Sequence, residues 1–468
     1  MARAWALPAN DHAIMTQWTR EEAVRYLREA SGRSDVSDAS LMAIAEKLGR
    51  LPLALSQAAA SLINNSGITA EHYLADITQR MKEMPEGVLS GDPVFATFQL
   101  ATNQAEAKAR GAKAVLAFAS FFAPENIPVE LFTQSASFYP TALRPLAAKA
   151  TRLHQAISAL ERLALIDFDP AGRVFSLDPH VQAAARDTLR IEAFARRSFS
   201  IHRLLRGAPI EAEWNLAAVK AFTAACPAND IQHREGFQRF LPHALAVANM
   251  VPDDVGLPLA QLLDQTASYF QTQGAGTEAL RLLERALAIR GKVLGPNHPD
   301  VAQSLNKLAI MYSVQGAYDR ALLLHERALA TREKVLDPNH PDVAQSLNNL
   351  AEVYNDQGAY KRALPLFERA LAIREKALGS NHLDVAQSLN SLAQLCSTRG
   401  AYDRALPLYE RALTIRENAL GPNHPVVAQS LNNLAALQLA IFERALGPSH
   451  PDTKQARENL TALQSKVG

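Results

Sequence analysis

The phrase PNHPDVAQSLNKLAIMY at residues 296–312 returns as PNHPDVAQSLNNLAEVY at 338–354, as SNHLDVAQSLNSLAQLC at 380–396 and as PNHPVVAQSLNNLAALQ at 422–438. His298, His340, His382 and His424 mark its period, 42 residues. Each copy except the last runs into Gly-Ala-Tyr and then a segment containing Arg-Ala-Leu and Glu-Arg-Ala-Leu. A unit this short has no core of its own, so a fixed period in this range means stacked supersecondary modules.

Each unit reads as two helices. Val343, Leu347, Leu350 and Tyr354 recur at helical spacing, Pro341 stands where a first-turn proline is tolerated, and Gly358 breaks the pattern. Helix A is therefore expected from Pro341 to Asp356. Helix B carries Ala363, Phe367 and Ala370 on one face and is expected to stop near Leu378, before Gly379. The pattern Leu347-x2-Leu350-Ala351-x2-Tyr354 followed by Ala363-x3-Phe367 resembles the tetratricopeptide signature, in its longer kinesin-light-chain form. That resemblance implies an all-α solenoid built to bind proteins.

Composition sets bounds. The chain has 468 residues, 48% of them hydrophobic, enough for two or three domains with real cores. A net charge of +1 argues against a general nucleic-acid binder, whose affinity for phosphates rests on clustered positive charge. Cys226 and Cys396 are the only cysteines, so no disulfide framework is expected and a reducing cytoplasmic setting fits. The N-terminal residues lack a signal-peptide core, and the apolar run near Ala114–Ala123 is too short to span a bilayer, so no membrane partner is expected.

Ahead of the repeats, residues 1–12 read as a loop, and Trp18–Leu27 as a helix opened by a Thr19/Glu22 capping box. Ser40–Leu48 reads as a second helix, followed by Gly49-Arg50-Leu51-Pro52-Leu53-Ala54-Leu55. With WTREEAVRYL before it and AEHYL after it, this phrase resembles the helical subdomain of the NB-ARC or STAND signalling NTPases, here spanning residues 13–90. The resemblance implies that Pro52 is the proline that lies against a bound adenine in that family. Arg50 stands where a glycine or another small residue is common. No GxxxxGK[ST] stretch exists to cradle phosphates, and only 17 residues precede Trp18, so ATP hydrolysis by this sequence alone is not expected.

Residues 91–190 resemble the winged-helix segment that follows in that family. Ala112–Phe122 reads as a helix, Ile127-Pro128-Val129-Glu130-Leu131-Phe132 as the start of another, and Leu143–Leu163 as helical. A single small β-hairpin is expected from Leu165–Phe168 and Val174–Leu177, then a helix at VQAAARDTLR. Related proteins carry a histidine where Asp178 stands, with His180 two positions later. Ten basic and ten acidic residues between Glu86 and Arg190 argue for a packing module over a DNA reader. Residues 191–256 read as a helical connector punctuated by loops at 226–230 and 251–254. Residues 257–468 read as the superhelix, starting with a divergent pair near Leu257 and ending in a degenerate repeat. His450 follows His424 by 26 residues and the Gly-Ala-Tyr turn is gone, so Pro425–Leu446 is expected as one continuous helix. A cap helix over 452–465 should follow.

Helix A is expected to line the inner wall of such a superhelix. Gln303, Gln345, Gln387 and Gln429 then fall on that wall, with Asn306, Asn348, Asn390 and Asn432 one turn along. Uncharged amides offer both a donor and an acceptor to the backbone of an extended peptide. Lys307, Asn349, Glu352 and Gln394, which vary between copies, would tune specificity, as would Ile310 and Ser391. One histidine per unit cannot assemble a metal site when packed helices stand roughly 8–10 Å apart, so these histidines are expected at helix starts. The Arg-Ala-Leu and Glu-Arg-Ala-Leu charges are expected on a solvated outer face. With no catalytic constellation, metal or cofactor indicated, the leading expectation is a non-enzymatic scaffold for a protein or peptide. The alternatives are a split STAND regulator that needs a separate NTPase domain and, disfavoured by charge, a winged-helix DNA-binding regulator.

Overall fold

Cap chemistry fixes where the helices begin. The computed structural model describes residues 17–65, 67–83, 92–198, 210–226 and 234–467. The expected N-terminal loop over 1–12 lies outside them, as do residues 227–230 of the expected connector loop. Thr19 and Glu22 form the capping box that opens α1 (Arg20–Ser31), with reciprocal bonds of 3.2 and 2.9 Å. Ser37 caps α2 (Asp38–Lys47), two residues before the periodicity placed it. Pro52 is the first residue of α3 (Pro52–Asn64), and α4 (Ala70–Glu83) and α5 (Pro93–Lys108) follow. Gly49 and Arg50 both adopt positive φ, 63° and 55°, to turn the chain into α3.

The next stretch carries the strands. It holds α6 (Ala112–Ala119), β1 (Ile127–Pro128), α7 (Arg144–Ala147), α8 (Ala150–Arg162), β2 (Asp167–Asp169), β3 (Val174–Ser176) and α9 (Pro179–Ser198). The sheet is antiparallel, in the order β1-β3-β2. Ile127-Pro128 therefore does not open a helix, and the expected hairpin is a three-stranded sheet. Pro128 has no N–H to give a helix, while Ile127 pairs with Phe175 and the Val129 N–H donates to Arg173 O at 3.0 Å. A 3-10 turn, Val129–Phe132, is all that remains of that helix. Buried Phe118 anchors the core here, its ring 5.2 Å from those of Phe122 and Phe132 and 5.4 Å from that of Tyr139. Helices α10 (Ile210–Ala225), α11 (Arg234–Met250) and α12 (Leu257–Thr272) continue the chain.

Two compact units result, one ending at Tyr269 and the other starting at Phe270, so the division falls near the end of α12. The second unit contains α13 (Gly276–Leu294), α14 (Pro299–Val314), α15 (Tyr318–Val335), α16 (Pro341–Asp356), α17 (Tyr360–Leu378), α18 (Leu383–Thr398), α19 (Tyr402–Leu420), α20 (Pro425–Leu446) and α21 (Pro451–Val467). The periodic histidines cap the A helices. Nδ1 of His298, His340 and His382 accepts the backbone N–H two residues on at 3.1 Å, and that of His424 at 3.2 Å. Gly358, at φ 73°, closes the turn between α16 and α17, a conformation that disfavours any side chain.

Where that turn is missing, α20 runs unbroken. It is the one helix among the described residues long and apolar enough to cross a membrane by length and composition, with 22 residues and an 18-residue stretch of mean hydropathy 1.2. Scanning for uninterrupted apolar runs passes over it because Gln429, Ser430, Asn432 and Asn433 break the run. It nevertheless carries the same histidine cap and repeat phrase as its siblings and packs on α19 and α21.

Within the array, Leu350, Tyr354, Ala363 and Phe367 of one unit share a buried cluster with Leu392, Cys396, Ala405 and Tyr409 of the next. The place of Phe367 and Tyr409 is held by His325 in the preceding unit. His325 is 1% exposed, its Nδ1 stands 2.8 Å from Asn306 Oδ1, and burial lowers its pKa from 6.5 to about 4. Between those two values the unfolded chain takes up a proton that the folded chain refuses, so stability should fall as pH drops through this window and level off below it. The loss should approach about 3 kcal/mol, read by urea denaturation across pH, and His325→Phe should flatten that part of the slope.

Candidate functional site

The A helices approach one another, α14 against α16 and α16 against α18, while the B helices α15, α17 and α19 lie further apart. The repeat array therefore curves with its A helices inside. On that inner face Gln303, Gln345, Gln387 and Gln429 are all exposed. Seven residues on, which is roughly 20° round a helix, Ile310, Glu352 and Gln394 are exposed as well.

The asparagines behave otherwise. Three residues on from each glutamine is roughly 60° round the helix, and this turns the rung from the surface toward the neighbouring unit. Asn306 and Asn348 are 5% and 2% exposed, and Asn390 and Asn432 are half-buried. Asn306 Nδ2 donates to Ser346 Oγ at 3.1 Å, and Asn390 Oδ1 accepts from Asn433 at 2.9 Å, so both bond across units. Asn348 Nδ2 instead donates to Glu352 Oε1 at 2.7 Å within its own helix. Of the positions expected to tune specificity, Glu352, Gln394 and Ile310 reach the surface, Lys307 is half-buried, and Asn349 and Ser391 are buried.

Sequence reading missed the arginines that set this geometry. Arg290, Arg332, Arg374 and Arg416 repeat at 42 residues, and the last three are 3%, 2% and 4% exposed. Each sends Nη1 to a serine on the next A helix: Ser304 at 2.8 Å, Ser346 at 2.9 Å, Ser388 at 2.8 Å and Ser430 at 2.7 Å. Arg332 and Arg374 also hold the carbonyls of Asp342 and Asp384, at 2.8 and 3.0 Å. From the other side of the fork, Arg416 Nη2 donates to Gln387 at 2.9 Å and Arg374 Nη2 to Gln345. One guanidinium thus ties helix A and helix B of its own unit to helix A of the next. The signal was present: the arginines stand seven residues after buried Leu283, His325, Phe367 and Tyr409, in phase with the inward face of helix B. The outer arginines Arg320, Arg327, Arg362 and Arg369 are exposed, as expected.

In the first unit, Pro52 lines a cleft of about 340 Å³ with Trp18, Tyr26, Leu53, Ile63 and Arg162. The Trp18 and Tyr26 rings meet edge to face at 5.0 Å, and Ile63 is 53% exposed. Asp178 caps α9 through the His180 N–H at 2.8 Å.

Residues 258–334, 311–376, 342–418 and 399–441 each match the tetratricopeptide repeat family. These units are tetratricopeptide repeats. As stacked tetratricopeptide repeats they form a protein-interaction scaffold, and such repeats are in general non-enzymatic. Similar solved structures include the nearly identical TPR-like repeats of a Podosopora anserina protein assigned as a kinesin light chain. It is 30% identical, with 44% of this chain and 96% of that one covered and a TM-score of 0.37. BtubC (BKLC) from P. vanneervenii is 25% identical over 50% of this chain and 91% of its own, with a TM-score of 0.40. MamA from Desulfovibrio magneticus RS-1 is 19% identical over 44% of this chain and 93% of its own, with a TM-score of 0.29. No curated protein matches the chain.

Removing one fork tests its weight in these tetratricopeptide repeats. Arg374→Ala leaves Ser388, the Asp384 carbonyl and Gln345 without their donor, and should lower stability to urea by about 3 kcal/mol. Arg374→Lys should recover little, because an ammonium cannot span the fork.

Proposed function

We propose that the chain is a non-enzymatic scaffold that holds an extended peptide segment of a partner protein along the inner wall of its tetratricopeptide repeats. The observation that carries this reading is the exposed row Gln303, Gln345, Gln387 and Gln429, in register at 42 residues. The Arg374 and Arg416 forks occupy the oxygens of Gln345 and Gln387. They hold these side chains in fixed orientations, so little rotamer freedom is lost when a ligand binds. The Gln387 amide nitrogen remains to donate to a peptide carbonyl, which every peptide offers regardless of sequence. Side chains at Ile310, Glu352 and Gln394 then read the residues that face them. On this reading Asn306 and Asn348, which are buried, stand behind the surface, while Asn390 and Asn432 are half-buried at its edge.

A second reading is favoured by the cleft at Pro52. Aromatic and aliphatic walls suit a flat ring, and the positive φ of Arg50 is the conformation that a glycine at this place in the NB-ARC or STAND family would adopt freely. The lining offers one cation, Arg162, so it fits a ring better than a triphosphate. On this reading the first unit, with its β1-β3-β2 sheet as a winged-helix-like module, works with a separate NTPase domain.

The two readings separate experimentally. Ile310→Asp combined with Gln394→Trp alters only exposed positions and should abolish binding of partner peptides recovered by display on the full chain, with the melting temperature unchanged; retained affinity would place binding elsewhere. Under the second reading, a separately supplied NTPase domain with ATP should bind the full chain, and Pro52→Arg should prevent it.

A further inference from the structure

We propose that the first unit carries a small-molecule site in the cavity between α5, α6, α9 and α10, and that its ligand is an organic anion with an apolar body. This site is separate from the cleft at Pro52 and from the repeat wall, and it depends on neither reading above.

The cavity holds about 590 Å³, within the range of small-ligand pockets. Phe98 of α5, Leu116 of α6, Leu189 of α9 and Trp214 of α10 are buried and supply its apolar and aromatic walls. Gln99 and Asn103, one turn apart on α5, are half-buried and add two amides to the lining. At its edge stand Arg80, half-buried on α4, and Arg110 and Lys113, both exposed.

The charges are one-sided. None of these three cationic side chains has a hydrogen-bond or ion-pair partner among the described residues. Other arginines of the same unit are paired, Arg20 with Glu46, Arg33 with Asp35 and Arg239 with Glu130. One carboxylate, Glu106, lines the cavity, but its oxygens accept the backbone N–H of Gly111 at 2.9 Å and that of Lys113 at 3.0 Å. It is thereby fixed at the start of α6 and leaves the cations in excess. Positive charge gathered beside apolar walls, with too few acids to match it, suits a ligand that joins an anionic head to a hydrophobic body.

A second observation concerns Trp214. It is 6% exposed, and its ring stands 6.4 Å from that of Phe118. Its indole N–H has no acceptor among the described residues, although a buried indole usually finds one. Indole, guanidinium and ammonium all donate and cannot satisfy one another. An oxyanion supplies the acceptors that this set lacks, whereas a cation or a plain hydrocarbon does not.

The test uses the full chain and two probes of matched shape, 2-naphthoate and 2-naphthylmethylammonium, titrated by isothermal calorimetry. The anion should bind about tenfold tighter than the cation. Arg110→Glu with Lys113→Glu changes two exposed side chains, and should remove the preference with the melting temperature unchanged. Ala117→Trp, which fills the cavity from a half-buried position, should abolish binding of naphthoate, whereas Pro52→Arg should leave it intact. Equal affinity for the two probes, no binding of either, or loss of naphthoate binding in Pro52→Arg would each overturn the proposal; the last result would place the anion in the cleft at Pro52.

Discussion

A buried guanidinium that must find several partners at once is the constraint on which the repeat array depends. Arg332, Arg374 and Arg416 are buried, where an unpaired charge costs several kcal/mol. The demand is met only when the next A helix presents its serine, and in two of the three its first-turn carbonyl, at one position along the stack. Apolar contacts alone tolerate sliding, but a fork with fixed donors does not. The arginine therefore sets register, while the alanine and leucine positions supply most of the attraction. It also immobilises the glutamine that faces the inner wall, so one residue links the packing of the array to the chemistry of its surface.

Much of this architecture is written in local signals. Helix starts follow from His-Pro and Thr-x-x-Glu, the A–B turn follows from a glycine, and the fused α20 follows from the loss of that turn. Each is decided within a few residues, so a periodic sequence discloses it. The rungs were less legible because glutamine and asparagine differ by only one helical turn and share a chemistry. Which of them faces the wall depends on where the next unit lies. The arginine fork was hidden for the opposite reason: charged residues on helix B are mostly outside, and the one inside betrays itself only by its phase with Phe367 or Tyr409.

The first unit shows the same division. The Thr19/Glu22 box is local and legible. Ile127-Pro128 becomes a strand only because Val174 and Phe175, far along the chain, offer an edge to pair with, and no window around Pro128 contains that information. Arg50 is intermediate. Its left-handed backbone, at φ 55°, serves the turn between α2 and α3, a conformation that no periodicity discloses.

Each arginine and its serine are separated by 14 residues in every copy, well inside the 42-residue period. An unequal exchange between any two copies that inserts or deletes one whole period therefore leaves every guanidinium facing a hydroxyl, whichever copies were joined. Array length can change by such exchanges without any loss of stacking order, and with it the length of the exposed glutamine row. The chain thus carries a ruler whose divisions are chemically interchangeable, while the residues at 310, 352 and 394 differ from one mark to the next.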